Sequence, residues 1–404
     1  MHALSFILLL REIYGNKPPD LDRIQKRGLL AVKIAQHFAL RYDFLREDTC
    51  HHLARLFRST DSLPPDDVDT LLSQYVDDDW FEQVKEFNRE PFASASIGQV
   101  HEATLKDGAD VVVKLVKQDF SKRFQHDVAS LRRLLRFAVT VYPKLRKVFD
   151  PMGVLDYIED YTRTELDLTN EISGAGELAG ILKKYGGTYD LSQLRLPTFF
   201  PELSNENVLV VERIPGQTFD ELLQENKLSW DTMMDFFRIH GFYLFGPGIF
   251  HGDIHPGNII LTPDNQIALI DTSAVSRIGD TIRQGLFNFF VALADYDYPA
   301  CARRLNEMAK TRISGRQLET FEADMVELYR DFKGSSVKQV SLTKRMMQTI
   351  KMAVHAGMEF ERGMFAIIKS MMYLDGMALR CRPDVELMRE MKPFLMEFQK
   401  GVNQ

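Results

Sequence analysis

The stretch HGDIHPGNIILTPDNQIALIDTSAVSRI, residues 251–278, sets three oxygen-bearing side chains in a fixed order: Asp253, Asn258 and, beyond an apolar run with a turn-like interruption, Asp271. Phosphoryl transfer asks for a carboxylate that orients the nucleophile, oxygen ligands on a magnesium ion, and a cation on the nucleotide phosphates. These residues can meet the first two needs. Either aspartate alone would be explained as well by a helix cap or a turn, where Asp is favoured because its oxygens accept backbone N–H bonds. The cation has a candidate in Lys114, inside the strand-like run VVVKLV. Its flanks, Val111, Val112, Val113 and Leu115, read as buried, so its ammonium needs a carboxylate partner. Glu171 is the candidate.

Asp253 and Asn258 also keep the Asp-x4-Asn spacing of a kinase catalytic loop, and Asp271 follows a hairpin, where a kinase carries its magnesium-binding aspartate. Around these residues the texture of the chain changes three times. From Asp20 to about Glu90 apolar residues recur at helical intervals, with a break at Pro64-Pro65. From Pro91 two strand-like runs, IGQVHEATL and DVVVKLV, flank the turn Lys106-Asp107-Gly108. Helical periodicity returns over 124–147 and 154–185, NVLVVERIPG reads as a buried strand ending in a turn, and the chain beyond Thr218 is mostly helical. The expected class is α+β: a helical N-terminal extension over 1–90, a lobe with a small antiparallel sheet over 91–214, and a helical lobe over 215–404.

With 404 residues, 45% of them hydrophobic, the chain can bury two substantial cores. A formal net charge of -7, with no clustered Lys and Arg, speaks against a nucleic-acid partner. Cys50, Cys301 and Cys381 lie far apart and outside metal-ligand spacing, which fits free thiols in a reducing compartment. Cys50-His51-His52 reads as helix surface, because consecutive helical residues point in different directions. The apolar run Phe6–Leu10 is too short to span a bilayer and has no basic residue before it, so neither a transmembrane segment nor a signal peptide is expected. A cytoplasmic protein with peripheral membrane contact through an amphipathic face is the expectation.

The run PFASASIGQVHEATLKDGADVVVKLV resembles the opening of the UbiB/ADCK (AarF-like) family of atypical protein-kinase-like proteins. In that family an alanine-rich loop replaces the glycine-rich loop of ordinary kinases; here it is Ala93, Ser94, Ala95, Ser96, Ile97, Gly98, Gln99 and Val100, followed by His101. The family's E-x-D motif appears as Glu165 and Asp167, its lysine-pairing glutamate as Glu171, its H-x-D-x-H-P-G-N loop as His251 to Asn258, and its K-x-G-Q motif as Lys33 to Gln36. The resemblance runs from about Gly28 to near the C-terminus. It implies a bilobal protein-kinase-like fold that binds ATP or ADP with Mg2+, with Asp253 as catalytic carboxylate, Asn258 and Asp271 as metal ligands, and Lys114 on phosphate. It also implies that Lys33 pairs with Glu165, and a setting in isoprenoid quinone biosynthesis or membrane-lipid metabolism, with a lipid or quinone precursor as partner. The adenine-holding hinge, placed by order along the chain, falls at Glu212, Arg213 and Ile214.

Two departures bear on function. Alanine replaces glycine at Ala35, and Asp271-Thr272-Ser273 stands where a kinase has D-F-G, so a mobile phenylalanine switch is not expected. A nucleotide-binding regulatory or lipid-presenting protein with a pseudokinase fold is therefore the alternative to a phosphotransferase or ATPase. A small-molecule phosphotransferase of the aminoglycoside or choline kinase type shares the H-x-D-x4-N arrangement but has no reason to carry K-x-x-Q and E-x-D together.

Overall fold

A computed structural model describes residues 2–15, 17–39, 45–57, 62–94, 97–117, 120–142, 151–187, 189–360 and 364–402. The chain forms two compact units: residues 1–173 with 197–213, and residues 174–196 with 214–404.

The first unit opens with helices α1 (Ala3–Ile13), α2 (Leu21–Lys26), α3 (Leu29–Ala39), α4 (Glu47–Ala54), α5 (Pro65–Tyr75) and α6 (Asp78–Gln83). Their starts follow from local chemistry. Asp20 and Asp77 accept backbone N–H bonds at the heads of α2 and α6, and Pro65 opens α5 ahead of Asp66 and Asp67, which suit the positive helix end. The sheet follows: β1 (Val84–Phe87), β2 (Ala93–Ser94), β3 (Gly98–Leu105), β4 (Asp110–Val116) and later β6 (Val208–Glu212), antiparallel in the order β1-β3-β4-β6, with β2 beside β3. Gly108, at φ +92°, makes the β3–β4 turn that Lys106-Asp107-Gly108 predicts. Helical expectation up to Glu90 overran β1. Its VKEF has no period-two burial and pairs along one edge only, so the sequence carries little strand signal.

Helices α7 (Phe120–Val141) and α8 (Pro151–Leu166) complete this unit, and α9 (Thr169–Tyr185) begins in it. One long helical pattern over 154–185 is thus two helices. Asp167 breaks it: its Oδ1 accepts the Thr169 N–H at 3.0 Å and the Thr169 hydroxyl at 2.6 Å, capping α9. Two cores result in this unit. Ile34, Phe38, Phe124, Leu131, Leu155 and Leu209 belong to a helical one; Val111, Val113, Leu115, Val210 and Trp80 lie on the other side of the sheet.

In the second unit, β5 (Leu194–Arg195), β7 (Gln217–Thr218), β9 (Ile259–Leu261) and β10 (Ile267–Leu269) form a sheet in the order β5-β10-β9-β7, and β8 (Ile249–His251) pairs with β11 (Val275–Arg277). The helices are α10 (Phe219–Gln224), α11 (Trp230–Phe245), α12 (Asp280–Ala294), α13 (Tyr298–Met308), α14 (Arg316–Leu328), α15 (Leu342–His355), α16 (Met364–Cys381) and α17 (Leu387–Val402). Residues 174–196, expected in the sheet lobe, pack here instead. Leu178, Ile181, Leu191 and Leu194 enter the second unit's core, the Tyr243 hydroxyl donates to the Leu178 carbonyl at 2.9 Å, and β5 pairs in parallel with β10. No helix among the described residues is long and apolar enough to cross a membrane.

Candidate functional site

Lys114 sits on β4 opposite Val100 and Leu209, on the face away from Val113 and Leu115. Alternation places it there, because successive strand residues point to opposite faces. Its ammonium donates to both oxygens of Glu171, at 2.9 and 2.7 Å, from the first turn of α9. The lysine side chain keeps 18% exposure and the glutamate 5%, and both Glu171 oxygens accept from the ammonium.

The helical extension contributes a second pair. Lys33, buried in α3, forms an ion pair with Glu165 near the end of α8 and lies 5.8 Å from the Tyr161 ring centroid. Gln36 donates to the Leu56 carbonyl at 2.9 Å. Ala35 is fully buried in the same helix, where alanine suits the helical backbone better than glycine.

Of the loop residues, Ala93 and Ser94 pair with Val100 and Gln99; Ala95 and Ser96 lie outside the described residues. Gly98 passes so close to β4 that a Cβ would stand 2.9 Å from the Leu115 carbonyl oxygen. Ile97 is buried in the helical core. Gln99, expected on nucleotide, faces the sheet's interior side instead: its carbonyl accepts the Leu63 N–H at 2.8 Å and its amide meets His101 Nε2 at 2.8 Å. His101 Nδ1 contacts the Asn88 carbonyl at 2.9 Å, which makes Nδ1 the protonated nitrogen and Nε2 the acceptor. Burial lowers the pKa of this imidazole, keeping it neutral. The expected hinge is also partly spent, since the N–H of Glu212 donates to Thr198 and that of Arg213 to Asp110. The Ile214 backbone has no such bond to another described residue's carbonyl.

In the second unit the loop from β8 to β9 is held by its own backbone. His251 Nδ1 accepts the Asp253 N–H at 3.1 Å while Nε2 faces the Ile270 carbonyl at 3.1 Å, so this buried imidazole is the Nε2–H tautomer. Its pKa is lowered, chiefly by burial. His255 Nδ1 accepts the Gly257 N–H at 3.0 Å, opening the short turn Pro256–Asn258. Asn258 spends its amide N–H on the Asp253 carbonyl at 3.0 Å, which leaves the side-chain oxygen as its acceptor, and its own carbonyl accepts the Ile270 N–H at 3.0 Å.

These bonds bring Asp271 next to the loop. Asp271 lies in the left-handed region at φ +57°, a strained place for a side chain other than glycine, and accepts the Ser273 hydroxyl at 3.0 Å. Thr272 is fully buried, and its carbonyl packs against Gly174 so tightly that a Cβ there would stand 2.0 Å from it. Asn258 and Asp271 offer hard oxygen donors, the kind magnesium takes, and a site that uses only two protein ligands leaves coordination positions for phosphate and water. No group of three or more His, Cys, Asp or Glu suited to a metal occurs among the described residues.

Asp253 has a partner that the motifs do not contain. Lys369, in α16, places its ammonium 3.1 Å from Asp253 Oδ1. Burial pushes the Asp253 carboxyl up, but the Lys369 ammonium, then His251 and His255, outweigh this and hold it below the usual carboxylate range.

This order of parts is matched by the ABC1 atypical kinase-like domain, over residues 55–305. The chain belongs to the ABC1 atypical kinase-like family. Among its relatives, the "Probable protein kinase UbiB" of Pseudomonas fluorescens is 28% identical over 98% of this chain and 76% of its own length. That of Actinobacillus pleuropneumoniae is 25% identical over 93% of this chain and 70% of its own. A Clostridium pasteurianum protein described only by its place in a hydrogenase 5′ region is 24% identical over 95% and 72%. Among solved structures, the erythromycin complex of Rv3197 from Mycobacterium tuberculosis aligns with TM-score 0.53 and 22% identity, covering 95% of this chain and 96% of that one. That likeness is one of fold and supports the α+β kinase-like architecture. Lys369 lies beyond the stretch that the ABC1 domain matches.

Proposed function

We propose that this ABC1-family protein is a UbiB-type phosphotransferase or ATPase that binds an adenine nucleotide with magnesium. The observation that carries the reading is the two-oxygen clamp of Glu171 on Lys114, which fixes one partly exposed lysine on a rigid strand. Lys114 contacts phosphate, and the Ile214 backbone, after the Glu212 strand end, meets the adenine. Asn258 and Asp271 hold the metal, which when bound supplies charge neutralisation on the phosphates. Asp253 orients the acceptor hydroxyl or water and takes up its proton at a carboxylate oxygen. The names of the UbiB relatives favour a protein-kinase-like activity, and a role in isoprenoid quinone or membrane-lipid metabolism with peripheral membrane contact extends that reading.

The test is magnesium-dependent thermal stabilisation by ATP and ADP, with phosphate release followed in the same samples. Wild type is expected to be stabilised and to release phosphate slowly. Lys114→Ala and Asp271→Asn lose the stabilisation, and Asp253→Asn keeps it while turnover falls by at least about 100-fold. A wild type that neither nucleotide stabilises would sink the reading.

A second reading, a nucleotide-binding regulator without phosphotransfer, draws on the Lys33–Glu165 pair, which commits the E-x-D glutamate to the N-terminal helices. It predicts stabilisation without phosphate release, and an Asp253→Asn variant that restores quinone levels in deficient cells as well as wild type does.

A further inference from the structure

Lys369 is a lysine with almost no access to water, and its side chain keeps 5% exposure against 19% for Asp253. A buried ammonium is retained in a fold only with a compensating partner. Here the partner is the one carboxylate that the catalytic-loop pattern singles out. The loop itself, His251-Gly252-Asp253-Ile254-His255-Pro256-Gly257-Asn258, contains no lysine or arginine, so a fixed positive charge beside Asp253 has to come from elsewhere in the chain. Helix α16 brings it, and one turn further on the same helix brings Tyr373.

Tyr373 makes an edge-on contact with the His255 ring at 5.5 Å, and the Lys369 ammonium lies 5.9 Å from the Tyr373 ring centroid. Two residues of one helix face, four apart, thus meet two residues of the loop, two apart. The groups around the Asp253 carboxylate are Lys369 from α16, His251 from β8 and His255 from the loop, with Asp271 near His251.

We propose that Lys369 is a positioning residue for phosphoryl transfer, holding the Asp253 carboxylate in one orientation through the 3.1 Å ion pair from α16. This rests on the phosphotransferase reading above. The step assigned to Asp253 forms an O–H bond on the carboxylate as the acceptor's O–H bond breaks, so it needs the carboxylate unprotonated beforehand. Lys369 fixes where that carboxylate points without itself giving or taking a proton.

Two measurements on the full chain decide the matter. In the first, kcat and KM for phosphate release from ATP are measured for wild type, Lys369→Arg and Lys369→Met. Lys369 orients the carboxylate, so Lys369→Met is expected to lower kcat roughly tenfold with KM for ATP unchanged. Lys369→Arg recovers most of that loss. A Lys369→Met variant with wild-type kcat, or one in which KM rises and kcat does not fall, overturns the proposal.

The second measurement needs no turnover: melting temperatures of Lys369→Met, Asp253→Asn and the double variant. The double variant is expected to lose less than the sum of the two singles, because neither partner is then left buried alone. Additive losses mean the pair does not form and overturn the proposal whatever the nucleotide does. Coupled losses in a wild type that hydrolyses no ATP overturn both the positioning role and the phosphotransferase reading, leaving a structural ion pair.

Discussion

Two lysine–carboxylate pairs, one in each unit, are built from the same groups with the burial reversed. In the first, Glu171 is closed in at 5% exposure and Lys114 stays at 18%; in the second, Lys369 is closed in at 5% and Asp253 stays at 19%. The hidden member is held against its partner, and the other member keeps more of its side chain at the surface. Polarity of burial therefore separates support from working group where residue type cannot. Lys33–Glu165, with 6% and 22%, follows the second pattern and marks the glutamate as the open member.

The sharpest way to break this comparison is to remove the open member of each pair. Lys114→Met leaves Glu171 buried without its cation, and the expected loss is about 3 kcal/mol, the lower end for breaking a buried pair because both groups sit near a partly open site. Glu171→Gln should cost less, since the stranded ammonium can turn toward water. Chemical denaturation of the two variants checks the order; a larger loss for Glu171→Gln would refute the assignment of support and working group.

Next in size is Gly174→Ala, which tests whether the second unit's site depends on backbone approach as well as on its ion pair. A Cβ at 2.0 Å from the Thr272 carbonyl has to displace either α9 or the Asp271 turn. The loss is expected at about 2 kcal/mol, in the range for overpacking, with weaker nucleotide stabilisation read in the same melts.

A pH experiment sharpens the electrostatic side. His240, buried on α11 beside Phe236 and Phe250 and near His251, has its pKa lowered to about 3 by burial and then by His251. A folded-state pKa below the unfolded one means stability is complete above about pH 6.5 and is lost as pH falls toward 3, at up to roughly 1.4 kcal/mol per pH unit. His240→Phe should remove about one proton's worth of that slope, and melting temperatures taken between pH 7 and 4 measure it. An unchanged slope would mean His240 does not stay neutral in the folded chain.

The smallest effect belongs to Ser273→Ala, which deletes one hydroxyl donor to a half-open Asp271 and should weaken magnesium-dependent nucleotide stabilisation by roughly 1 kcal/mol.

How much of this was legible in the sequence differs between the same two pairs. Lys114 and Glu171 could be matched because a buried strand with one lysine demands an acid, and a motif named which one. Lys369 could not, because IIKSMMYLD on a helix looks like any amphipathic segment, and the demand for a cation beside Asp253 becomes visible only when the loop is folded. Gln99 shows the converse failure. Its place in the alanine-rich motif suggested nucleotide, whereas strand alternation from Lys114's partner Val100 turns it to the opposite face. The break between α8 and α9 was readable in principle from Asp167, a good cap, but continuous apolar spacing on both sides concealed it.

The return of residues 197–213 to the first unit has a bearing on how this protein is made and handled. Strand β6 covers the edge of β4, pairing from Val111 to Leu115, yet emerges from the ribosome only after the segment that belongs to the second unit. Until then Val111, Val113 and Leu115 stand beside an open ladder of N–H and C=O groups, an invitation to pair with a neighbouring chain. Nascent chains halted before β6 are therefore the species a chaperone would have to guard, and a fragment cut at residue 173 for separate production should be sticky where one spliced to include 197–213 should not.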